Sequence, residues 1–407
     1  MRVIFLTMVP IANINVREIY TDLLRMFISK GHKVYIVSPR ERRLKVDTSV
    51  KTEGNVSYLG VKTLNLQKTS VIEKGVGQVL VERQFKSAIY KYWKDVRFDL
   101  ILYSTPPITL LGTVKYLKKT NPQAQTYLLL KDIFPQNAVD IGMMRTTGLK
   151  GLLYRYFRKK EKALYRLSDH IGCMSPANVK YILEHNPDLN SEKVEIAPNS
   201  VEYREQIIED GQEMSEKNYI RKKYDIPIDR PVFIYGGNLG RPQGIDYLIN
   251  CLDAVKDRLD SYFVVVGNGT EYSKLEEWIC FGDRKKSVKL MQRLERCDYD
   301  MMVRSSDVGL IFLDSRFTIP NYPSRLLNYL ENRIPIICAT DVNSDIGTIA
   351  EENGYGYWCE SKNPKDFVSL VDKMLAADRK AMGEKGFKFL QDNYLVEHTY
   401  QAIIKHV

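Results

Sequence analysis

The stretch "YGGNLGRPQGIDYLI", residues 235–249, holds four glycines, one arginine and one proline before it settles into an apolar helical pattern. The residues "PVFI" precede it, so a buried strand runs into a bend stripped of side chains and then into a helix beginning near Gly244. At such a bend the missing Cβ atoms let an anion approach backbone N–H groups, and the helix N-terminus adds partial positive charge. Gly237, Asn238, Gln243 and Gly244 fall on the bend, and Arg241 would add a full cation. A tight strand-to-helix turn with no ligand is the plainer alternative. The pattern is not GxGxxG, which disfavours hydride transfer on a dinucleotide.

Outward from this bend the same unit recurs. After residue 231 the runs "PVFIYGG", "YFVVVGNG", "SVKLMQ", "VGLIFLD", "IPIICATD" and "YGYWCE" alternate with helical stretches. Before residue 200 the runs are "RVIFLTMV", "KVYIVSP", "NVSYLGV", "DLILYST", "QTYLLLKD", "HIGCMS" and "VEIAPN". Nearly continuous apolar strands between amphipathic helices imply parallel sheets covered on both faces. The helix after the first strand packs Ile19, Leu23, Met26 and Phe27 at helical spacing, and Gly31 stands where a helix end wants φ > 0. The spacing predicts an α/β chain of two doubly wound, Rossmann-like domains facing across a cleft. Their expected bounds are 1–205 and 206–385, with a helix over 386–407 that crosses back to the first domain. Ligands of such sheets sit beyond the carboxyl ends of the strands.

Composition narrows the classes. The chain has 407 residues with 44% hydrophobic and 27% charged content, as in a globular protein with a sizeable core. Its start reads as a first strand and not as a secretory leader, and no run of about 18 apolar residues spans a bilayer. Six cysteines form no CxxC pair and lie mostly in apolar runs, which fits reduced, buried thiols of a cytoplasmic protein. No HxH or HExxH pattern occurs, so no metal is expected and the five histidines read as surface or capping residues. Net charge is +10, but residues 1–200 hold 32 Lys and Arg against 17 Asp and Glu, leaving the remainder acidic. The first half therefore either faces something anionic or is a well-solvated basic domain. No nucleic-acid module is visible.

A second anion site is expected at "NYPSRLLNYLENRIPII", residues 321–337. There Pro323 and Ser324 read as a helix start, with the Ser324 hydroxyl and the Arg325 guanidinium beside it. Two helix starts, each with an arginine, would suit a diphosphate. "DYD" at 298–300 imitates a metal-binding pair of aspartates, but Asp298 reads better as a helix N-cap.

Together these residues resemble the GT-B-fold, retaining glycosyltransferases of family 4, especially those that build bacterial capsule, exopolysaccharide or O-antigen. The resemblance rests on "GNLGRPQGIDYLI", "VVVGNGTEYSKLEEWI" and "PSRLLNYLENRIPII" in the second half, and on "STPPITLLG", "LLLKDIFPQNAVDIGMM", "CMSPANVKYI" and "VEIAPNSVE" in the first. It implies transfer of a sugar from a nucleotide-sugar, UDP-linked by family frequency, to a glycan or polyprenyl-diphosphate-linked acceptor. No cofactor or metal is implied. It places base recognition around Arg293 and Leu294, and ribose binding at Asn328, where relatives usually have Glu. Gln243 stands where many have Lys, and Pro320 where many have an acidic residue. Those departures raise a rival: a weak or silent member that stabilises a partner transferase. A second copy of the chain is the other expected protein partner.

In the first half, Asp132 ends the strand "QTYLLLKD" at its carboxyl edge. It would either accept the proton of the acceptor hydroxyl or cap the turn before Pro135, while Lys131 points to the opposite side and reads as structural. Asn13 and Asn15 follow the first strand and Pro106 lies in "STPPITLLG", as candidates to touch donor or acceptor. The segment "LKGLLYRYFRKKEKALYRLSD", residues 149–169, interleaves Leu152, Leu153, Tyr156, Phe157, Leu164 and Tyr165 with seven Lys and Arg. With "PRERRLKV", residues 39–46, it reads either as a surface for anionic lipid at the inner face of the cytoplasmic membrane or as an ordinary domain helix.

Overall fold

The computed structural model describes residues 1–66, 71–106, 108–204, 212–281 and 284–407. Two compact units emerge: Met1–Glu202 together with Leu395–Val407, and Tyr203–Tyr394. The expected boundary at 205/206 lies outside the described residues. Residues 386–394 pack in the second unit, and only from Leu395 does the chain belong to the first.

The first unit contains β1 (Arg2–Leu6), β2 (Lys33–Glu41), β3 (Ser49–Glu53), β4 (Val56–Thr63), β5 (Leu100–Thr105), β6 (Gln125–Leu130), β7 (His170–Cys173) and β8 (Val194–Ile196). They form one sheet in the order β3-β4-β2-β1-β5-β6-β7-β8, parallel except for β3 on β4. Strands β1 and β5 are buried almost throughout, which is why they read as unbroken apolar runs. The helix Ile19–Ser29 buries Leu23, Leu24 and Phe27, and ends at Gly31 with φ of 80°. The last helix, Val396–Ile404, returns to this unit, where Tyr400 meets Phe27 edge-on at 4.9 Å.

The second unit contains β9 (Val232–Asn238), β10 (Tyr262–Asn268), β11 (Val288–Met291), β12 (Val308–Phe312), β13 (Ile336–Thr340) and β14 (Gly356–Glu360). Their order is β11-β10-β9-β12-β13-β14, all parallel. Chain order reverses between β9 and β12, the point at which ligands of such sheets bind. A core of Phe233, Tyr235, Leu248, Phe263, Leu310 and Phe312 holds the strands under their helices.

Arg221 shows how this unit treats a buried cation with a structural task. Its guanidinium donates to the carbonyls of Ser305, Pro227 and Arg230 and to the Asp307 carboxylate, the last at 2.6 Å. Charge and donors are both answered, as burial requires.

Candidate functional site

At the reversal point, β9 ends in Gly236, Gly237 and Asn238. Gly237 has φ of 138°, a conformation that side chains resist, and a Cβ there would lie 3.4 Å from the Arg325 guanidinium. Gly244 has φ of 58° and sits against the backbone of Leu313 and Asp314, tying the loop after β9 to the loop after β12. Asp314 N–H completes that tie by donating to Pro242 O at 3.1 Å. Between the two glycines runs a short turn, Arg241–Gln243, and then the helix Ile245–Val255.

The loop's amides divide into two sets. Leu239 N–H donates to Asn268 O, Gln243 N–H to Gly240 O, and Gly244 N–H to Arg241 O. Gly244 therefore shapes the bend and does not offer its own amide, unlike the expectation from sequence. The N–H groups of Gly240, Arg241, Ile245, Asp246 and Tyr247 meet no backbone acceptor among the described residues. They are the donors that an anion would find there. Asn238 donates its side-chain amide to Gln243 Oε1 at 3.3 Å, so these two expected ligands hold the loop to itself.

Arg325 opens the helix Arg325–Glu331, directly after Ser324, whose hydroxyl makes no capping bond. Its guanidinium lies over the Tyr235 ring at 4.3 Å. The Nη1 atom is enclosed and has no hydrogen-bond partner, and no carboxylate pairs with Arg325 among the described residues. The contrast with Arg221 is direct: the same group, here half-buried, with no carboxylate answering its charge. A guanidinium in that state is costly unless something anionic completes it.

Three tyrosines enclose this cation. Tyr235 donates its hydroxyl to Asn238 O, Tyr329 bonds between Gly236 N–H and the carbonyls of Ile234 and Leu310, and the Tyr299 hydroxyl sits against Gly236. Burial raises all three phenols above their ordinary range, so they stay neutral and add no compensating charge. Tyr299 is the middle residue of "DYD". Asp298 beside it is not an N-cap, because Glu295 holds that position before the helix Arg296–Arg304 and Asp298, inside its first turn, binds Lys223 and Tyr224. Asn328, one turn beyond Arg325, accepts from Asn332 Nδ2 at 2.9 Å and bonds the Tyr299 side chain.

Other expected residues are placed less centrally. Arg241 is exposed and pairs with Glu271 at 3.5 Å, so its charge is already answered. Arg293 and Leu294 follow β11 at the sheet's outer edge, with β10 between them and β9.

In the first unit, Asn13, Asn15, Pro106 and Asp132 follow the carboxyl ends of β1, β5 and β6, which are adjacent in the sheet. Asn13 spends its side-chain oxygen on the Asn15 N–H, and Pro106 is exposed. β6 stops at Leu130, so Asp132 lies in the loop beyond the strand and not at its end. There Asp132 Oδ2 accepts from Asn137 Nδ2 at 2.5 Å, while Oδ1 is enclosed with no partner. Burial raises this carboxyl to about 6, opposed by the bonds from Ile133 N–H and Asn137. Lys131 turns away, donates to Ala197 O at 3.0 Å, and has its ammonium lowered to about 7 by burial.

The helix Gly148–Leu167 has two faces. Leu164 and Tyr165 are buried, with Phe157 against Phe134. Leu152, Leu153 and Tyr156 point to solvent with Arg155 and Lys159. Leu44 and Val46, after β2, are exposed beside Arg42 and Arg43. No helix among the described residues is long and apolar enough to cross a membrane. Of the cysteines, Cys173, Cys251, Cys338 and Cys359 are buried, but Cys280 and Cys297 are exposed, against the expectation of a buried set.

Comparison with known proteins accords with this geometry. Residues 216–389, the part containing every second-unit residue above, match the family described as Glycosyl transferases group 1. The protein named Probable glycosyltransferase WbjE of Pseudomonas aeruginosa is 22% identical over 80% of this chain and 78% of its own length. WaaG, a glycosyltransferase involved in lipopolysaccharide biosynthesis, superimposes with a TM-score of 0.66 at 14% identity, over 98% of both chains. HepE of Anabaena, solved in complex with UDP-glucose, does so with a TM-score of 0.69 at 11% identity, over 100% and 99%. The fold is GT-B, and the second unit carries a glycosyltransferase group 1 domain.

Proposed function

We propose that the chain is a retaining glycosyltransferase of family 4, acting in bacterial capsule, exopolysaccharide or O-antigen assembly. It moves a hexosyl or N-acetylhexosaminyl group from a UDP-sugar to a glycan or polyprenyl-diphosphate-linked acceptor. The observation that carries this reading is the unanswered Arg325 guanidinium beneath the Gly237 backbone. As the glycosidic bond breaks, negative charge collects on the departing diphosphate. Arg325 and the amides of Gly240, Arg241 and the following helical turn stabilise that charge, with no metal required. Ser324 adds a hydroxyl to the phosphate set. Asn328 bonds the ribose as a neutral amide, and Arg293 and Leu294 lie towards the base. The UDP-glucose complex of HepE supports the donor class.

The first unit supplies the acceptor side. Asp132 takes the proton of the incoming hydroxyl through Oδ1, and the loops bearing Asn13, Asn15 and Pro106 stand on the neighbouring strands. Melting the protein with a panel of nucleoside diphosphates tests the donor assignment. UDP and its sugars should raise Tm, because a ligand bound only by the folded chain stabilises it. Equal indifference to every nucleotide would refute the reading.

The exposed apolar and basic face of Gly148–Leu167 supports attachment at the inner face of the cytoplasmic membrane, where a lipid-linked acceptor resides. The protein should sediment with phosphatidylglycerol-containing vesicles at low salt. Replacing Leu152, Leu153 and Tyr156 together by Ser should weaken that partition by about tenfold or more. Unchanged sedimentation of the triple variant would remove this face from the account.

A further inference from the structure

The loop after β6 grips the Asp132 carboxylate by one oxygen. β6 lies between β5 and β7, so its end is fixed in the sheet. Lys131 next tethers the chain to Ala197 O at 3.0 Å, and Asp132 turns the other way. Ile133 is buried, Phe134 meets Phe157 edge-on at 5.1 Å, and the short helix Gln136–Asp140 begins. Asn137 N–H donates to Ile133 O at 3.0 Å, and its side chain reaches back to donate from Nδ2 to Asp132 Oδ2 at 2.5 Å. Asn137 Oδ1 is enclosed and has no hydrogen-bond partner. Structural amides of the same unit are used at both ends. Asn121 donates to Leu117 O and accepts from Phe98 N–H, and Asn186 donates to Ile182 O and accepts from Arg158. Asn137 gives its amide to Asp132 and keeps an acceptor in reserve.

We propose, resting on the base role given above to Asp132, that Asn137 is a positioning residue for the transfer: it holds Asp132 by Oδ2, so that Oδ1 is the oxygen presented to the incoming hydroxyl. A carboxylate with no partner turns about its last torsion between broad, equivalent positions. One strong bond makes its two oxygens unlike and leaves a single one to take the proton. As the hydroxyl O–H bond breaks, the proton passes to Asp132 Oδ1, its electron pair forms the new glycosidic bond, and the diphosphate takes the pair of the old one. An amide suits this task better than a cation. Lys or Arg at that distance would hold the carboxyl in its charged form and make it a poor base. Lys131 is turned to Ala197, and Asp140 accepts from Gln136 Nε2 at 2.7 Å. The carboxyl therefore answers to burial, which raises it to about 6, and to the opposing bonds from Ile133 N–H and Asn137. An amide also carries an acceptor beside its donor, so a half-turn of the Asn137 side chain lets Oδ1 receive the protonated carboxyl after transfer.

The test compares the parent, Asn137→Leu and Asn137→Asp, each with and without Asp132→Asn. The stability gained by Asp132→Asn, followed by melting from about pH 4 to 9, marks where Asp132 ionises and needs no turnover. In the parent it should turn near pH 6. In Asn137→Leu it should turn about one to two pH units higher, because a bond to the charged form is gone. The fall of kcat on the acid side should move upward by the same amount and kcat should recover above it, with UDP affinity unchanged. Asn137→Asp keeps the shape of the parent residue and serves where Asn137→Leu does not fold. Its fall of kcat should move upward as well, since two carboxyls so close resist joint ionisation. The proposal is overturned if the melting turn stays near pH 6 in Asn137→Leu, or if kcat drops equally at every pH, as a packing loss would make it. Full kcat in Asp132→Asn would instead remove the base role itself, whatever the melting curves show, and the positioning role with it.

Discussion

Arg325→Met should abolish the rise in Tm that UDP produces and weaken UDP binding by about 10- to 150-fold, without destabilising the free protein. The first part follows from removing charge-assisted bonds worth about 1.5–3 kcal/mol to a bound diphosphate. The second follows from the state of the guanidinium itself. Arg325 stacks on Tyr235, its Nη1 meets no acceptor, and no carboxylate balances it. A methionine keeps most of the packing and removes a half-buried charge that no carboxylate balances, a change that costs the free fold little. A purely structural arginine behaves the other way. Calorimetric titration of UDP beside thermal melts of the free proteins separates the two. Loss of stability with UDP affinity intact would make Arg325 a packing residue.

Asp132→Asn should lower kcat by about 10²–10⁴-fold and leave UDP affinity unchanged. The carboxyl is raised to about 6, so parent turnover should fall as pH drops through that value and the base takes up its proton. The same shift has a stability consequence of known sign. The folded group holds its proton more tightly than the unfolded one, so its ionisation opposes folding above about pH 6, and the opposition fades as pH falls towards 4. Asp132→Asn should therefore melt higher than the parent at pH 7.5 by an amount on the order of 1–2 kcal/mol, with the gain vanishing near pH 4. The amide oxygen can still accept from Asn137, so the local turn is kept. A variant with full kcat would show that the departing diphosphate itself takes the proton, and Asp132 would then be only the cap of the turn before Pro135.

The core strands were legible because burial on both faces leaves its mark in the chain. The stretches 232–235 of β9, 308–312 of β12 and 336–339 of β13 are unbroken apolar or glycine runs bounded by Pro, Gly or Asp. β3 was not legible: "SVKTE" lies exposed on the sheet edge, and an edge strand facing water has no hydrophobic contrast to read. Within the site, Gly237 and Arg325 were legible from local turn and helix-start chemistry. What surrounds Arg325 was not, because Tyr235 and Tyr299 come from elements far from it in the chain to join Tyr329 of its own helix. Tyr299 stands inside "DYD", where the flanking aspartates carry the stronger local signal. The pairing of Arg241 with Glu271 was not legible either, since nothing local reveals Glu271 across the neighbouring loop.

The central claim is that the loop after β9 and the first residue of Arg325–Glu331 hold one pyrophosphate. A crystal structure with UDP tests it most directly. The account predicts phosphate oxygens about 2.7–3.2 Å from the Arg325 guanidinium and from the amides of the loop after Gly237. UDP bound elsewhere, with Arg325 still resting on Tyr235 and its Nη1 without a partner, would contradict it.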